Sequence, residues 1–259
     1  ICFGWGFNGL RPKGMAVCPE GGLVTVGNPL GVDQHNKDRK GRGVDYGGYV
    51  YYWKRDEAKA PWKPTYLGRQ SSAGVRLDPR GNVYISAATH NPPGLPKSYA
   101  RESRYFARIQ KLAPTGSMKN GGLYPKAPSA PAKTYEIRMS PIGGGYKTPR
   151  FGVDEYGRVY YPNGIESRVG IIDNAGNPVL SFGTYGNRDD GVPMRDAGSG
   201  MRNDRANPSR ISHPASTIYM AWPMSVDADD EYIYVGDIVN TRLLRLKKTF
   251  AAEGTCAAK

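Results

Sequence analysis

The chain has 259 residues, a formal net charge of +13 and 39% hydrophobic residues. That hydrophobic content allows a buried core, and the regular apolar runs described below argue against a disordered basic chain. No apolar run approaches the roughly 20 residues that span a bilayer, so no transmembrane segment is expected. The 34 Gly, 21 Pro and 18 Tyr, with many short apolar runs, favour all-β structure with long loops. The positive charge predicts attraction to an anionic partner.

A hairpin pattern recurs along the chain: an apolar strand, an acidic or Gly-containing turn, and a second apolar strand. The copies cover 15–26, 75–86, 151–161 and 224–235. Asp78, Asp154 and Asp227 stand where the first strand of a copy ends, and a carboxylate there can accept hydrogen bonds from turn N–H groups. Gly81 and Gly157 supply the positive φ that a tight turn requires. The pattern therefore predicts repeated β-hairpins.

Further apolar segments follow the hairpins and extend each one into a sheet. Third strands are predicted at 48–54, 107–112, 167–173 and 241–247, and fourth strands at 133–138 and 178–182. Four antiparallel strands per repeated unit form the blade of a propeller. We therefore predict an all-β fold, a β-propeller of four-stranded antiparallel blades with at least four blades. A single domain over 1–259 would contain blade units at about 10–70, 71–140, 147–186 and 218–259.

The repeat resembles that of the NHL family, whose blades carry Asp-x-x-Asn-x-Arg after the second strand. The last copy matches this motif with Asp237, Asn240 and Arg242, whereas the third copy has Asn163 and Glu166 at the first two positions. The resemblance implies that these side chains stabilise the loop between strands by bonding backbone groups. It also implies a ring of blades, which is either closed by the N-terminal strand or continued in a larger propeller.

Long segments separate the predicted strands, and binding residues concentrate in such loops. The segments are 27–47, 87–105, 113–132 and 184–220. Basic side chains in two of them are candidates for anion binding: Lys37, Arg39, Lys40, Arg42, Arg101 and Arg104. Tyr99 and Tyr105 alternate with the last two, as in platforms that stack single-stranded RNA. Solvated or packed loops are the alternative interpretation.

A metal site is a weaker interpretation of the loop residues. His35, His90 and His213 fall in loops that a propeller places on one face, and three His can bind zinc. The peptide-amidating lyase, whose fold is similar, uses such a metal; scattered loop histidines are the alternative. Two acidic clusters, Asp189-Asp190 and Asp227 with Asp229-Asp230, lack EF-hand spacing, which favours solvated turns over a calcium site. We therefore expect no cofactor, with zinc or calcium as alternatives.

The cysteines and the N-terminus bear on the compartment. An odd number of cysteines (Cys2, Cys18 and Cys256) allows at most one internal bridge. A bridge between Cys2 and Cys256 would fasten a closed ring, whereas three buried thiols are the alternative. The chain does not begin with Met and starts in mid-pattern, as a mature product or a fragment would. The expected location is therefore secreted, periplasmic or at the cell surface.

No nucleophile elbow, zinc-protease motif or phosphate-binding loop occurs in the sequence. The features together predict a non-enzymatic binding or scaffolding propeller that holds a protein or an acidic polysaccharide through its long basic, Tyr-rich loops. Two alternatives stay open. One is a metal-dependent lyase or hydrolase that uses the three histidines, and the other is an RNA-binding propeller.

Overall fold

A computed structural model describes residues 14–27, 48–54, 64–71, 74–88, 107–117, 122–137, 149–186 and 218–249. Over these ranges the regular secondary structure is all-β. The described residues contain no candidate for a membrane-spanning helix. The strands are β1 (Gly14–Val17), β2 (Leu23–Gly27), β3 (Gly48–Trp53), β4 (Thr65–Ser71), β5 (Val75–Leu77), β6 (Val83–Ala88), β7 (Ala107–Leu112), β8 (Lys133–Glu136), β9 (Gly152–Val153), β10 (Val159–Asn163), β11 (Arg168–Ile172), β12 (Pro178–Phe182), β13 (Thr184–Tyr185), β14 (Tyr219–Met220), β15 (Pro223–Ala228), β16 (Tyr232–Asp237) and β17 (Arg242–Lys247).

The strands form successive antiparallel sheets, each built from neighbours in sequence. Blade 1 has the order β1-β2-β3-β4, blade 2 the order β5-β6-β7-β8, and blade 3 the order β9-β10-β11-β12. The described strands of blade 4 are β15-β16-β17, and the parallel pair β13-β14 joins blades 3 and 4. The predicted all-β fold, a propeller of small antiparallel blades, is thus confirmed with four blades.

Alternation along the second strands explains why these segments pair as sheets. In β2, Val24 and Val26 are fully buried, and the residues between them are half-buried. In β16, Ile233 and Val235 are buried in the same alternating pattern. Because successive side chains of a strand point to opposite faces, each blade presents one strongly apolar face to its neighbour.

Among the described residues the core consists of three apolar clusters, one at each junction between consecutive blades. The first joins Val24 and Val50 of blade 1 to Val83 of blade 2. The second packs blade 2 on blade 3, and the third packs blade 3 on blade 4. As in other repeat proteins, stability depends on these contacts between neighbours.

The segment between β7 and β8 contributes to the first cluster. Leu123 and Tyr124 are buried there, although the sequence places them in a long loop suited to binding. The Tyr124 hydroxyl donates to the carbonyl of Leu112 at 2.8 Å and accepts from the N–H of Val83 at 3.1 Å. The described part of 113–132 is therefore a structural plug between blades 1 and 2, because its apolar side chains fill their junction.

The first strands of the blades lie close together at the centre of the molecule. A Cβ atom on Gly14 of β1 would lie 2.9 Å from the Cα of Gly74, which immediately precedes β5. A Cβ atom on Gly152 of β9 would lie 2.9 Å from the Cα of Asp227 on β15. Real Cβ contacts are essentially never that short, so glycine at these positions permits the close approach of inner strands.

Candidate functional site

The turns between the first and second strands of all four blades meet at one end of the molecule, which we call the turn end. They surround a cavity of about 320 Å³, the central cavity. Its lining residues are Val17, Pro19, Leu77, Asp78, Pro79, Val153, Asp154, Glu155, Ala228, Asp229 and Asp230. The central cavity therefore combines apolar strand ends with carboxylates, and it is the candidate site whose geometry the structure describes.

In blade 2 the carboxylate of Asp78 organises the turn. Its Oδ1 accepts hydrogen bonds from the backbone N–H of Arg80 at 3.0 Å and of Asn82 at 2.9 Å. Its Oδ2 accepts from the Asn82 amide at 2.8 Å and from the Tyr84 hydroxyl at 3.1 Å. Both oxygens of this buried side chain are thus engaged by the hairpin itself, as in Asx-type turns.

Blade 3 repeats the arrangement with Asp154. Oδ1 accepts from the N–H groups of Tyr156 at 3.1 Å and Arg158 at 2.9 Å, and Oδ2 from the Tyr160 hydroxyl at 2.9 Å. The Arg158 guanidinium adds a close ion pair at 2.6 Å. Burial, followed by the hydrogen bond to Asp154, raises the pKa of Tyr160, so its hydroxyl stays a proton donor.

In blade 4 the organising carboxylate is Asp229, whereas the sequence pattern assigned this position to Asp227. Asp229 accepts from the N–H groups of Glu231 at 2.9 Å and Tyr232 at 2.6 Å, and from the Tyr234 hydroxyl at 2.8 Å. These hydrogen bonds lower the pKa of the Asp229 carboxyl. Asp227 instead lies within β15, because this first strand continues as far as Ala228.

In blade 1 the equivalent position holds Cys18. The N–H of Cys18 donates to the carbonyl of Gly22 at 2.7 Å, and the N–H of Gly21 donates to the carbonyl of Cys18 at 2.8 Å. Blade 2 has the same pair of backbone bonds: the N–H of Asp78 donates to the carbonyl of Asn82, and the N–H of Gly81 donates to the carbonyl of Asp78. Burial, and then the charge of Glu20, raises the pKa of Cys18 to about 12, which keeps the thiol protonated and unsuited to nucleophilic chemistry.

Two lysines compensate the charge of the buried carboxylates. Lys111 Nζ lies 3.9 Å from Oδ2 of Asp78, and Lys248 Nζ lies 3.8 Å from Oδ2 of Asp154. Lys248 also lies 5.0 Å from the centre of the Tyr160 ring and donates to the Asp229 carbonyl. Burial lowers the pKa of both lysines. Across the parts of the chain that the structure describes, no group of three or more potential ligands is arranged to hold a metal ion.

The predicted loop motif of blade 4 lies at the other end of the blades, where second strands pass into third strands; we call this the loop end. Asp237 is fully buried, and it accepts from the N–H groups of Ala221 at 3.1 Å and Trp222 at 2.9 Å. Asn240 donates to Asp237 at 2.6 Å, and Arg242 lies 3.4 Å from the same carboxylate oxygen. The three side chains therefore tie the loop between β16 and β17 to the chain that leads into blade 4.

A matching turn in blade 3 shows a feature that the sequence analysis missed. Ser167 has φ 53° and Thr241 has φ 50°, and each immediately precedes the Arg that opens a third strand. Asn163 takes the place of Asp237 and accepts from the N–H of Glu166 at 3.2 Å. Non-glycine residues rarely adopt positive φ, so these two equivalent turns are held in place by their hydrogen bonds.

Several predicted site residues lie outside the described residues. They are the histidines His35, His90 and His213, the basic residues Lys37, Arg39, Lys40, Arg42, Arg101 and Arg104, and the half-cystine candidates Cys2 and Cys256. The zinc, anion and disulfide hypotheses therefore stay predictions. What the structure does describe is where the flanking strands end: β2 and β6 run away from the turn end, so segments 28–47 and 89–106 connect strands at the loop end.

Comparisons with known proteins leave the family open. No protein-family model and no curated protein matches the chain. Among solved structures, it is similar to virginiamycin B lyase from Staphylococcus aureus (13% identity, 91% of this chain, 66% of that chain, TM-score 0.38). It is also similar to regucalcin, a calcium-binding protein from Agrobacterium tumefaciens (13%, 94%, 64%, 0.43), and to a putative gluconolactonase (12%, 94%, 60%, 0.42). The chain thus spans somewhat less than two thirds of the length of these structures. At these TM-scores the similarity assigns none of their activities to this chain.

Proposed function

We propose that this chain is a non-enzymatic binding or scaffolding propeller that holds an acidic protein or polysaccharide at its loop end. The observation that carries the proposal is that three of the five carboxylates lining the central cavity are engaged by their own hairpins. Asp78, Asp154 and Asp229 accept hydrogen bonds from their own turns and from a tyrosine hydroxyl of their own blade. A carboxylate that is saturated in this way stabilises a hairpin and is poorly placed to act as a general base.

Charge supports the loop end as the binding surface. The segments 28–47, 89–106, 138–148 and 187–217 connect strands at this end, and they contain 14 Lys and Arg residues against 8 Asp and Glu residues. An excess of positive charge on long connections attracts anionic partners and accelerates their association. The turn end differs, because every charged residue that lines its cavity is a carboxylate.

We further propose that the blades are of the NHL type. The contacts of Asp237, Asn240 and Arg242 support this, because they have the loop-stabilising role that the resemblance implies for the motif. The departures in blade 3 are consistent with the same role, since Asn163 still accepts a backbone hydrogen bond. In this interpretation the motif supports the loop end, and the binding residues lie in the longer connections.

The test is binding of the full chain to an immobilised acidic polysaccharide, with neutral dextran as the reference. We expect saturable binding to the acidic polymer that weakens as salt is added, because exposed charges are screened. Replacing Lys37, Arg39, Lys40 and Arg42 together by Gln should weaken this binding about tenfold. The matched control replaces four exposed basic residues of the turn end, Lys54, Arg80, Lys126 and Lys133, and should leave the affinity unchanged.

Equal losses in the two quadruple variants would overturn the assignment to the loop end, and binding to neither polymer would favour a protein partner. The protein arm is native mass measurement of the chain recovered from its source. A lone monomer in that measurement, together with no polysaccharide binding, would contradict the proposed function. Two further arms address the alternatives: stoichiometric zinc would support the lyase, and a steeply salt-dependent affinity for oligonucleotides would support RNA binding.

A further inference from the structure

A guanidinium group crosses the inner edge of the propeller from one blade to another. Arg76 lies on β5 of blade 2, and its Nη2 is 3.6 Å from Oδ2 of Asp227 on β15 of blade 4. Blade 3 lies between blades 2 and 4 and has Gly152 at the equivalent position of its first strand. The equivalence follows from register, because Arg76, Gly152 and Asp227 each pair with a tyrosine on the second strand of their own blade. No side chain at Gly152 therefore separates Arg76 from Asp227.

The hydrogen bonds of Arg76 are incomplete. Nη1 donates to the carbonyl of Val75 at 3.2 Å, whereas the contact with Asp227 at 3.6 Å is an ion pair beyond hydrogen-bond distance. Nε is buried and has no hydrogen-bond partner in the parts of the chain that the structure describes. A buried donor without an acceptor costs free energy, so an acceptor at this position would stabilise the protein.

A second guanidinium belongs to the same region. Arg150 is held against β15, because its N–H donates to the carbonyl of Met224 at 2.9 Å and its carbonyl accepts from Val226 at 2.8 Å. Burial lowers the pKa of Arg150, and the nearby charge of Arg76 lowers it further. The Asp227 carboxylate that pairs with Arg76 is 59% exposed, so solvent weakens this ion pair.

We propose that the inner edge between blades 2, 3 and 4 binds a small oxyanion, with Nε of Arg76 as the donor and the charge of Arg150 as support. Nε–H and one Nη2–H of an arginine lie on the same edge of the guanidinium, and this edge bonds two oxygens of a phosphate or carboxylate. An anion there supplies the acceptor that Nε lacks, and the positive charges of the two arginines attract it. Arg76, Arg150 and Asp227 are not part of the loop segments assigned to the partner, so the site does not depend on the proposed function.

The test is a calorimetric titration of the full chain with inorganic phosphate, repeated with acetate. Saturable binding of phosphate alone indicates a phosphate site, and binding of both indicates a general oxyanion site; either result supports the proposal. Arg76→Gln should weaken binding about tenfold or more, because charge-assisted hydrogen bonds are lost. Arg76→Lys keeps the charge without Nε–H and should bind more weakly than the unmodified chain but more tightly than Arg76→Gln.

Two further variants make the result decisive. Arg80→Gln removes the same charge from an exposed turn of blade 2 and should leave the affinity unchanged. Asp227→Asn removes the competing carboxylate and should tighten binding about two- to fivefold. The second variant also keeps the test valid if Arg76→Gln does not fold, since Asp227 is exposed. No saturable binding of either anion, equal affinities of Arg76→Gln and Arg80→Gln, or weaker binding by Asp227→Asn would overturn the proposal.

Discussion

Asp237→Ala tests whether the buried carboxylate of the loop end stabilises blade 4. The substitution leaves the N–H groups of Ala221 and Trp222 without their acceptor, and it removes the ion-pair partner of Arg242, which keeps its hydrogen bond to the carbonyl of Tyr219. A buried N–H without an acceptor costs about 1–3 kcal/mol. Water can reach the N–H of Trp222 more easily, because its hydrogen bond is only part-buried, so the sum lies in the lower half of the range of about 2–6 kcal/mol for two groups. We expect a loss of about 3 kcal/mol in the free energy of unfolding.

The assay is equilibrium denaturation followed by tryptophan fluorescence, with the midpoint of thermal unfolding as a second measure. For a chain of this size, 3 kcal/mol corresponds to a decrease in Tm of about 6–12 °C. Asp237→Asn retains one carbonyl acceptor and should lose roughly half as much stability. Asp230→Ala removes an exposed carboxylate and should change stability by less than about 0.5 kcal/mol. If Asp237→Ala and Asp230→Ala unfold at the same midpoint, the assigned role of Asp237 is wrong.

Two further predictions concern blade 1 and the centre of the molecule. Cys18 should resist alkylation at pH 8 in the folded protein and react after denaturation, because burial raises its pKa to about 12. Peptide mass mapping locates the label. Rapid labelling of Cys18 in the folded chain would contradict this prediction. A folded-state pKa raised in this way favours the thiol, so the stability that it contributes is present at neutral pH and is lost as the pH rises toward 12. Gly152→Ala should destabilise the contact between β9 and β15 by about 1–3 kcal/mol, because the added Cβ meets the Asp227 backbone. The control is Ala175→Gly in an exposed turn, which should leave the free energy of unfolding nearly unchanged. Gly116→Ala is unsuitable as a control, because a Cβ atom there would also clash with backbone.

Local sequence signals were sufficient to predict most strands and the hairpin turns of blades 2 and 3. The reason is that both depend on short-range chemistry: alternation defines a strand, and an Asp followed by Gly three residues later defines the turn. Asp78 and Asp154 meet these conditions, and both turns form with Gly81 and Gly157 at positive φ.

The same signals placed the blade 4 turn two residues too early. Asp227 and Asp229 both follow apolar residues, and the sequence offers no local reason to prefer the second. In the structure Asp227 pairs with Tyr234 and Ala228 pairs with Ile233, so the strand continues and the turn begins at Asp229. The choice is made by sheet register, because a register that buries Val226, Ile233 and Val235 against blade 3 also fixes where the hairpin must reverse.

By itself, the sequence determined the all-β character, the order of the blades and the positive charge of the connections, since these follow from composition and alternation. Tertiary structure alone decided which side chains meet: Leu123 and Tyr124 fill the junction of blades 1 and 2, and Arg76 reaches across blade 3 to Asp227. Such contacts join residues far apart in the chain, and they depend on how twisted sheets pack around a common centre. No local sequence pattern encodes these contacts, because they form only when all the blades are assembled.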